Sequence, residues 1–477
     1  MMMVQKKIIS GLAWSSIERF SVQGAQFVIQ VIIARILVPE DYGIIAILVV
    51  FLAIFQIFID SGFSSALVQK HDRSEVDYST VFYFSVGISI ILFFAFFFLA
   101  PVIADFYEMP ILTPLARVIA FNLLINAFAV IPRAKFTVLV DFKTQAKASL
   151  TAVIFSGAIG IWMAYAGFGV WTLVFQSLFN NGVNTSILWI LSRWWPMRVF
   201  SIVSFKKLFS FGSKLMLSAL LDTTYRNLYT LVIGRKFTAQ ELGYYSRADQ
   251  FVQLPSINIS SIMNRVIFPV MCKVQHDNKE IENIFCKYLR ISTFIVFPLM
   301  IGLAVLAEPF IRLVLTERWL GLVVLLQILC FSYMWVPVHG LNLILLQAKG
   351  RSDLFLRLEI IKKIVGLTIL VITLPFGVMM MCVGRVISSI SLLYVNMHYT
   401  NKYFDIGFFK QIKYIFPSVL LSGSMGVVIF LVTKIDMPNI LTLILGIAIG
   451  CLYYVGIAVI FKMKGWEELR AVIVNAK

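Results

Sequence analysis

Long uninterrupted runs of apolar residues dominate the chain, and they predict helices that cross a membrane. One run extends from 81 to 104 without a single charged residue. Strands of a membrane barrel alternate apolar and polar positions over about ten residues. The runs here are instead continuous over about twenty residues, which is the length a helix needs to span the hydrocarbon core. The pattern therefore indicates an all-α integral membrane protein.

About fourteen membrane-spanning helices are predicted from these runs, and turn-forming residues such as Pro39, Gly167 and Pro375 separate them. The expected spans lie near 9–35, 42–67, 78–103, 111–132, 148–167, 170–192, 207–234, 242–270, 288–312, 319–347, 354–375, 377–400, 412–433 and 439–461.

A short sequence pattern recurs after 200 residues and predicts an internal repeat. The matching pairs are Arg35 and Arg235, Asp41 and Glu241, and Gly43 and Gly243. Six spans separate the two copies, so both copies cross the membrane in the same direction, as in a parallel repeat. We therefore expect an N-terminal six-helix lobe at 1–200 and a C-terminal six-helix lobe at 201–405. Two additional transmembrane helices and a cytoplasmic tail follow at 406–477.

Composition and charge exclude most soluble classes of protein. Hydrophobic residues make up 60% and charged residues 14%, against about 25% charged in soluble domains. Of the 41 Lys and Arg residues, 26 fall in segments on the same side as the N-terminus and 6 in the opposite turns. The positive-inside rule then places both termini in the cytoplasm. The net charge of +17 thus needs no nucleic acid as a partner.

The reactive residue types form no catalytic or metal-binding pattern along the chain. The five cysteines and four histidines are scattered, with no Cys-x-x-Cys pair and no histidine cluster, so we expect no metal site, no catalytic residue and no cofactor. No expected outer turn is long enough to form a separate catalytic domain. The sequence therefore argues against an enzyme.

Polar and charged side chains recur on one face of several expected spans. In the first span they stand three or four positions apart, and so share a helical face; they are Arg19, Gln23, Gln26 and Gln30. The seventh and eighth spans carry Lys214, Asp222, Arg226, Asn264 and Arg265. Because an ionised side chain facing hydrocarbon costs about 2.5 kcal/mol or more, these residues are expected to line helix contacts or a water-filled cavity.

Four of these residues are cations, and we interpret them as a binding site for an anionic substrate: Arg19, Lys214, Arg226 and Arg265. The expected polar lining is Gln23, Gln26, Gln30 and Asn264. The alternative is that the cations form internal salt bridges with carboxylates such as Glu18, and the sequence leaves both interpretations open. Three carboxylates within spans are candidates for binding a proton or sodium ion: Asp60, Asp222 and Glu359.

Four sequence motifs carry a resemblance to a known family. They are Gly-Leu-Ala-Trp-Ser-Ser at 11–16, Ile-Ala-Arg-Ile-Leu-Val-Pro-Glu-Asp-Tyr-Gly at 33–43, Asp-Ser-Gly-Phe-Ser-Ser-Ala-Leu-Val-Gln at 60–69 and Gly-Tyr-Tyr-Ser-Arg-Ala at 243–248. With these motifs the chain resembles the Wzx-type polysaccharide flippases. These form the polysaccharide transporter branch of the multidrug/oligosaccharidyl-lipid/polysaccharide exporter superfamily and include O-antigen, colanic-acid and capsule exporters.

The resemblance implies a function in the bacterial inner membrane. An undecaprenyl-pyrophosphate-linked oligosaccharide repeat unit would move from the cytoplasmic to the periplasmic leaflet by alternating access, for lipopolysaccharide, capsule or exopolysaccharide biosynthesis. Asp60, Asp222 or Glu359 would serve if a proton or sodium gradient is coupled to this movement, which the sequence leaves open. Expected partners are the lipid-linked oligosaccharide, membrane lipid, and the polysaccharide polymerase and chain-length machinery.

Three rival interpretations remain. A lipid II flippase would share the same diphosphate chemistry. A drug or cation antiporter of the same superfamily would need an acidic cavity, whereas cations outnumber acids here. A membrane polysaccharide polymerase or ligase would carry a long outer loop.

Overall fold

A computed structural model of the chain describes residues 21–404 and 406–475, which form helices joined by short turns and contain no strand. The chain divides into two compact units, Met1–Gly243 and Tyr244–Lys477. Each unit is a bundle of helices long enough to cross a bilayer.

The first unit holds α1 to α9. Their described bounds are α1 Ser21–Ile36, α2 Pro39–Asp60, α3 Phe63–Gln69, α4 Glu75–Tyr107, α5 Leu112–Ile119, α6 Phe121–Val138, α7 Phe142–Tyr165, α8 Trp171–Ser192 and α9 Ile202–Lys236. The helix α9 packs against α2, α3 and α4. The first compact unit extends to Gly243, and the lobes expected at 1–200 and 201–405 stay a prediction.

The second unit contains most of α10 and all later helices. Their bounds are α10 Ala239–Lys273, α11 Asn278–Val305, α12 Ala307–Val314, α13 Gly321–Tyr333, α14 Val336–Ala348, α15 Ser352–Thr373, α16 Val378–Phe404, α17 Phe408–Thr433, α18 Asn439–Ile460 and α19 Lys464–Asn475. Short 3₁₀ turns at Glu317–Trp319 and Leu374–Phe376 precede α13 and α16.

The length and hydropathy of the helices confirm the predicted class of protein, an all-α membrane protein. Within the described residues, nine helices are long and apolar enough to span a membrane, and the shorter apolar stretch Ser21–Ile36 precedes them. Four more helices, α8, α9, α10 and α15, have 22 to 35 residues but carry more polar side chains. The protein is therefore an all-α, multi-pass membrane protein, and these elements agree with the fourteen predicted spans.

Several predicted spans contain a break that the hydrophobic pattern did not reveal. The second span is interrupted between α2 and α3, where Ser61 (φ 44°) and Gly62 (φ 70°) adopt left-handed backbone conformations. A Cβ at Gly62 would lie 2.4 Å from the carbonyl oxygen of Gly212 on α9. Glycine is therefore required at position 62 for two reasons: its left-handed backbone angles and the close contact with α9.

The residues of the 200-residue repeat meet in a reciprocal contact between the first turns of α2 and α10. A Cβ at Gly43 would lie 1.8 Å from the carbonyl oxygen of Ala239, and one at Gly243 would lie 1.8 Å from that of Pro39. Both pairs of positions are 200 residues apart, so each turn makes the same contact with the other. This reciprocity is what a two-fold relation between repeats would produce, and the six-helix lobes themselves stay a prediction.

The acidic residue of the repeat caps each of these two helices. The Asp41 carboxylate accepts a hydrogen bond from the Val38 amide (3.3 Å), and the Glu241 carboxylate accepts one from the Thr238 amide (3.1 Å). Free amides at a helix N-terminus favour such acceptors. The recurring acid and glycine therefore have a local explanation: one starts the helix and the other permits the close approach.

A buried amide network joins α17 to the rest of the second unit. The side chains of Asn342 on α14 and Gln411 on α17 exchange two hydrogen bonds of 3.0 and 2.9 Å, and Thr400 on α16 donates to Asn342 at 3.1 Å. All three residues are fully buried. The first of the two additional C-terminal helices is thus an integral part of this unit.

Candidate functional site

The polar face predicted for the first span is visible from residue 21 onward. Gln30 on α1 donates to the side chain of Gln176 on α8 at 3.2 Å. Gln23 is half-buried and Gln26 is exposed. Arg19 and its neighbour Glu18 lie outside the described residues. Of this face, the structure therefore assigns a contact across helices to Gln30.

The helix α9 carries a polar stripe along its accessible side. Lys214, Ser218, Asp222 and Arg226 follow one another at intervals of four residues, and all fall within the central twenty residues of the helix. The Arg226 guanidinium lies 2.8 Å from the Asp222 carboxylate, and both side chains are largely accessible, at 71% and 44%. Lys214 is exposed and makes no ion pair with the part of the chain that the structure describes.

The packing of α9 explains why this stripe is accessible. Of its 35 residues, only four are buried, and they lie near its two ends: Leu208, Gly212, Ile233 and Gly234. The central segment between Gly212 and Ile233 thus contacts its neighbours along part of its surface only. Since ionised side chains are disfavoured in hydrocarbon, the charged side of this segment requires water.

The two predicted residues on α10 differ in their surroundings. Arg265 is exposed and has no ion-pair partner among the described residues, whereas Asn264 is half-buried. The Asn264 amide lies beside Gly340 of α14, where its oxygen would be 3.5 Å from a Cβ at that position. Asn264 therefore contacts the helix surface of the second unit, and Arg265 faces outward from it.

The three predicted carboxylates have different partners. Asp60 ends α2 directly before the Ser61–Gly62 break, and its carboxylate accepts a hydrogen bond from the Ser64 hydroxyl. Asp222 pairs with Arg226, and Glu359 on α15 pairs with Lys362 at 3.1 Å. Among the described residues, Asp60 is thus the carboxylate of the three without an ion-pair partner.

Sequence reasoning missed a charged cluster in the second unit. Arg385 on α16 donates to Asp249 (2.6 Å) and Tyr245 (2.7 Å) on α10, and to Tyr333 (2.9 Å) on α13. The Arg385 and Asp249 side chains are only 21% and 18% exposed. The cluster is fully hydrogen-bonded, and it joins three helices that are distant in sequence.

A second missed network ties three helices of the first unit together. Asn181 on α8 donates to the Asn122 side chain on α6 at 2.7 Å, and Asn122 donates to Ser177 at 3.2 Å. Asn180 donates to Ser156 on α7 at 3.1 Å. Interhelical hydrogen bonds of this kind hold membrane helices together. A run of asparagines in an apolar helix was the sequence signal that could have revealed the network.

The described residues hold no group of three or more His, Cys, Asp or Glu side chains that could bind a metal ion. The predicted site holds accessible cations and neutral amides, and its carboxylate, Asp222, is paired with Arg226. This chemistry suits a substrate that carries negative charge and hydrogen-bonding groups.

Comparison with known families decides the classification. The chain matches the model of the family described as "Polysaccharide biosynthesis protein" over residues 32–324. It belongs to this family. The matched segment covers more than half of the chain and includes α2 to α12. The resemblance carried by the sequence motifs is thereby confirmed at the level of the family.

Three named proteins are similar to this chain over most of its length. The chain is 29% identical to the teichuronic acid biosynthesis protein TuaB of Bacillus subtilis over 74% of this chain and 73% of that protein. It is 27% identical to the lipopolysaccharide biosynthesis protein WzxC of Escherichia coli, over 78% and 76%. It is 26% identical to the succinoglycan biosynthesis transport protein ExoT of Rhizobium meliloti, over 70% and 65%.

The fold of this chain is also found in a protein of known structure. The lipid II flippase MurJ, in an inward closed conformation, superposes with a TM-score of 0.75. The alignment covers 94% of this chain and 98% of MurJ at 19% sequence identity. This likeness establishes the fold of a many-span membrane transporter.

Proposed function

We propose that this protein is a flippase that moves undecaprenyl-pyrophosphate-linked oligosaccharide repeat units from the cytoplasmic to the periplasmic leaflet of the bacterial inner membrane. The names of three relatives place them in the biosynthesis of teichuronic acid, lipopolysaccharide and succinoglycan, and one of them is named a transport protein. The products of this pathway step would be lipopolysaccharide, capsule or exopolysaccharide.

The accessible cationic stripe on α9 is the observation that carries the proposal. A diphosphate with sugars attached is strongly hydrated and cannot cross hydrocarbon unaided. Lys214 and Arg226 are about 18 Å apart along the helix, at a rise of 1.5 Å per residue. That distance covers more than half of the ~30 Å hydrocarbon thickness, so the stripe offers cations at successive depths to a moving anion.

The strength of each contact follows from its chemistry. A hydrogen bond between a guanidinium and a phosphate oxygen contributes about 1.5–3 kcal/mol. Its loss would weaken binding about ten- to more than a hundredfold. Lysine keeps the charge but loses the two-pronged geometry of the guanidinium. Replacement of Arg265 by lysine should therefore be less harmful than its replacement by glutamine.

Reconstituted protein provides the direct test. Fluorescently labelled undecaprenyl pyrophosphate in proteoliposomes would be quenched by an impermeant reductant only when it reaches the outer leaflet. We expect rapid flipping with the native protein, strongly reduced flipping with Arg265→Gln and Lys214→Gln, and intermediate flipping with Arg265→Lys. Arg318→Gln, which removes an exposed arginine from an outer turn, is the matched control. Normal flipping by Arg265→Gln would show that this side chain does not bind the diphosphate.

The rival functions predict other outcomes of related assays. A lipid II flippase would move lipid II but would not complement loss of polysaccharide export. A drug or cation antiporter would transport organic cations and would not flip the labelled diphosphate. A polymerase or ligase would lengthen or transfer the sugar chain. In cells lacking this protein, we expect unpolymerised lipid-linked repeat units to accumulate on the cytoplasmic leaflet.

Ion coupling and partners belong to the same proposal. Among the three candidate carboxylates, Asp60 is favoured for proton or sodium coupling because Asp222 and Glu359 have cationic partners. Both termini would face the cytoplasm. On the periplasmic side the flipped repeat unit would be passed to the polysaccharide polymerase and chain-length machinery.

A further inference from the structure

Polar side chains surround His339 within Gly321–Ala348, a segment of the second unit that is long and apolar enough to span a membrane. His339 lies on α14, nine residues before its last residue, Ala348. This places the imidazole about 14 Å from the inner end of the helix at 1.5 Å per residue, close to the middle of the bilayer. An ionisable side chain at this depth marks a functional site more often than a structural one.

Hydrogen bonds define which nitrogen of the imidazole carries its proton. The Asn396 amide nitrogen on α16 lies 2.9 Å from Nδ1, so Nδ1 accepts. Nε2 lies 3.2 Å from the hydroxyl of Ser389, which donates in turn to the backbone oxygen of Ser332 at 3.2 Å. This chain of donors assigns the proton of a neutral imidazole to Nε2.

One polar atom of the pocket has no partner in this arrangement. The side-chain oxygen of Asn396 is buried and receives no hydrogen bond within the described residues, and Asn396 itself is fully buried. Leaving such an acceptor unpaired costs about 1–3 kcal/mol. A half-turn of the amide would place this oxygen beside Nδ1, where it could accept a hydrogen bond from a proton on that nitrogen.

We infer that His339 is a proton-binding site. A proton carried by hydronium would bind to the lone pair of Nδ1 and leave water behind, the Asn396 amide would turn, and its oxygen would accept the new N–H. Nε2 would keep its proton and its bond to Ser389. No other bond is made or broken, and the imidazolium that forms has an acceptor at both nitrogens. Release of the proton reverses these steps.

One cation acts electrostatically on His339 in this conformation. It is Lys362 on α15, which Glu359 partly neutralises at 3.1 Å. On α16 the nearest cation along the helix is Arg385, which is bound to Asp249. Proton uptake therefore needs a conformation, or a bound anion, that offsets Lys362.

The elements on the other sides of the pocket contribute no further cation to it. On α10 the residue beside Gly340 is the neutral Asn264. On α11 the last charged residue is Arg290, the thirteenth of its 28 residues, and its charge is paired with Glu468 of α19. Lys362 thus differs from these residues as a cation whose field reaches His339. Since the proposed cargo is an anion, this arrangement would couple cargo movement to proton uptake, and that role rests on the proposed flippase function.

Nuclear magnetic resonance of the full chain in lipid nanodiscs tests the site without any cargo. The protein would be labelled with ¹⁵N in its histidine rings, and His339→Gln would assign the signal. The other three histidines, His71, His276 and His398, are exposed and serve as internal controls. We expect a neutral Nε2–H ring at pH 8 and conversion to imidazolium as the pH is lowered.

Two variants of Asn396 make the prediction specific. Asn396→Leu preserves side-chain size but removes the acceptor, and should lower the midpoint by about one to two pH units. Asn396→Asp should raise it. Equal midpoints in the native protein and Asn396→Leu would overturn the inference, as would a neutral ring throughout.

The transport role is tested separately, with labelled undecaprenyl pyrophosphate in vesicles that carry a pH gradient. We expect the gradient to accelerate flipping by the native protein and to lose this effect in His339→Gln and Asn396→Leu. An equal acceleration in the variants would refute coupling through His339. Absence of flipping by the native protein would instead refute the proposed function and leave the resonance result to decide the proton site.

Discussion

Gly43 gives the sharpest test of how the first turns of α2 and α10 fit together. The substitution Gly43→Ala would place a Cβ 1.8 Å from the carbonyl oxygen of Ala239. An ordinary contact needs about 3.4 Å, so the two turns must separate by about 1.5 Å or deform. Overpacking of this kind costs about 1–3 kcal/mol. A bias of that size changes the ratio of two conformations about 5- to 150-fold.

By the predicted topology this contact lies at the periplasmic end of the helices. Gly43→Ala should therefore favour an arrangement in which the two turns are apart, and should slow flipping. Gly243→Ala should have the same effect through Pro39. The double variant should cost little more than either single variant, because the turns separate only once and neighbouring substitutions are not additive.

Spin labels at the exposed positions Glu40 and Gln240 would report the separation of the turns by electron paramagnetic resonance. The matched control is Gly87→Ala on α4, where no atom lies within 4 Å of the added Cβ. We expect a larger label distance in Gly43→Ala and an unchanged distance in Gly87→Ala. Identical distances and flipping rates in the two variants would refute the close-packing argument.

Two further predictions concern topology and the missed charged cluster. A cysteine placed at Asn278, where α11 begins, should stay unlabelled by an impermeant maleimide in intact spheroplasts and react after permeabilisation; labelling before permeabilisation would invert the topology. Arg385→Gln should lower the melting temperature, because it leaves the Asp249 carboxylate without its ion-pair partner. Breaking a fully buried ion pair costs about 3–5 kcal/mol, and the cost should be smaller here because both side chains are partly exposed. Adding Asp249→Asn should restore part of the loss, and a double variant less stable than Arg385→Gln would contradict this explanation.

The sequence was a good guide to the fold because the bilayer imposes a simple rule on it. Every spanning segment must satisfy its own backbone hydrogen bonds, so apolar runs of about twenty residues become helices. The same rule says nothing about breaks within a run. The interruption at Ser61 and Gly62 depends on the approach of Gly212, a contact across 150 residues that local hydropathy does not encode.

The candidate site was predictable only where it is local. The stripe on α9 follows from four-residue spacing, so Lys214 and Arg226 could be placed on one face in advance. The pairing of Arg385 with Asp249 joins residues 136 positions apart. The pocket of His339 likewise depends on Asn396, 57 positions away. Such pairs follow from how helices pack, and a single sequence carries no record of that packing.

The buried amide network of Asn342, Thr400 and Gln411 can be completed only after Gln411 has been synthesised. Asn342 leaves the ribosome 69 residues before Gln411, which at about 5–20 residues per second is roughly 3–14 seconds. During that interval the Asn342 side chain can bind Val338, and later Thr400, but lacks its two hydrogen bonds with Gln411. A chain that stops before α17 would lack these two bonds permanently, which makes it a natural target for membrane quality control.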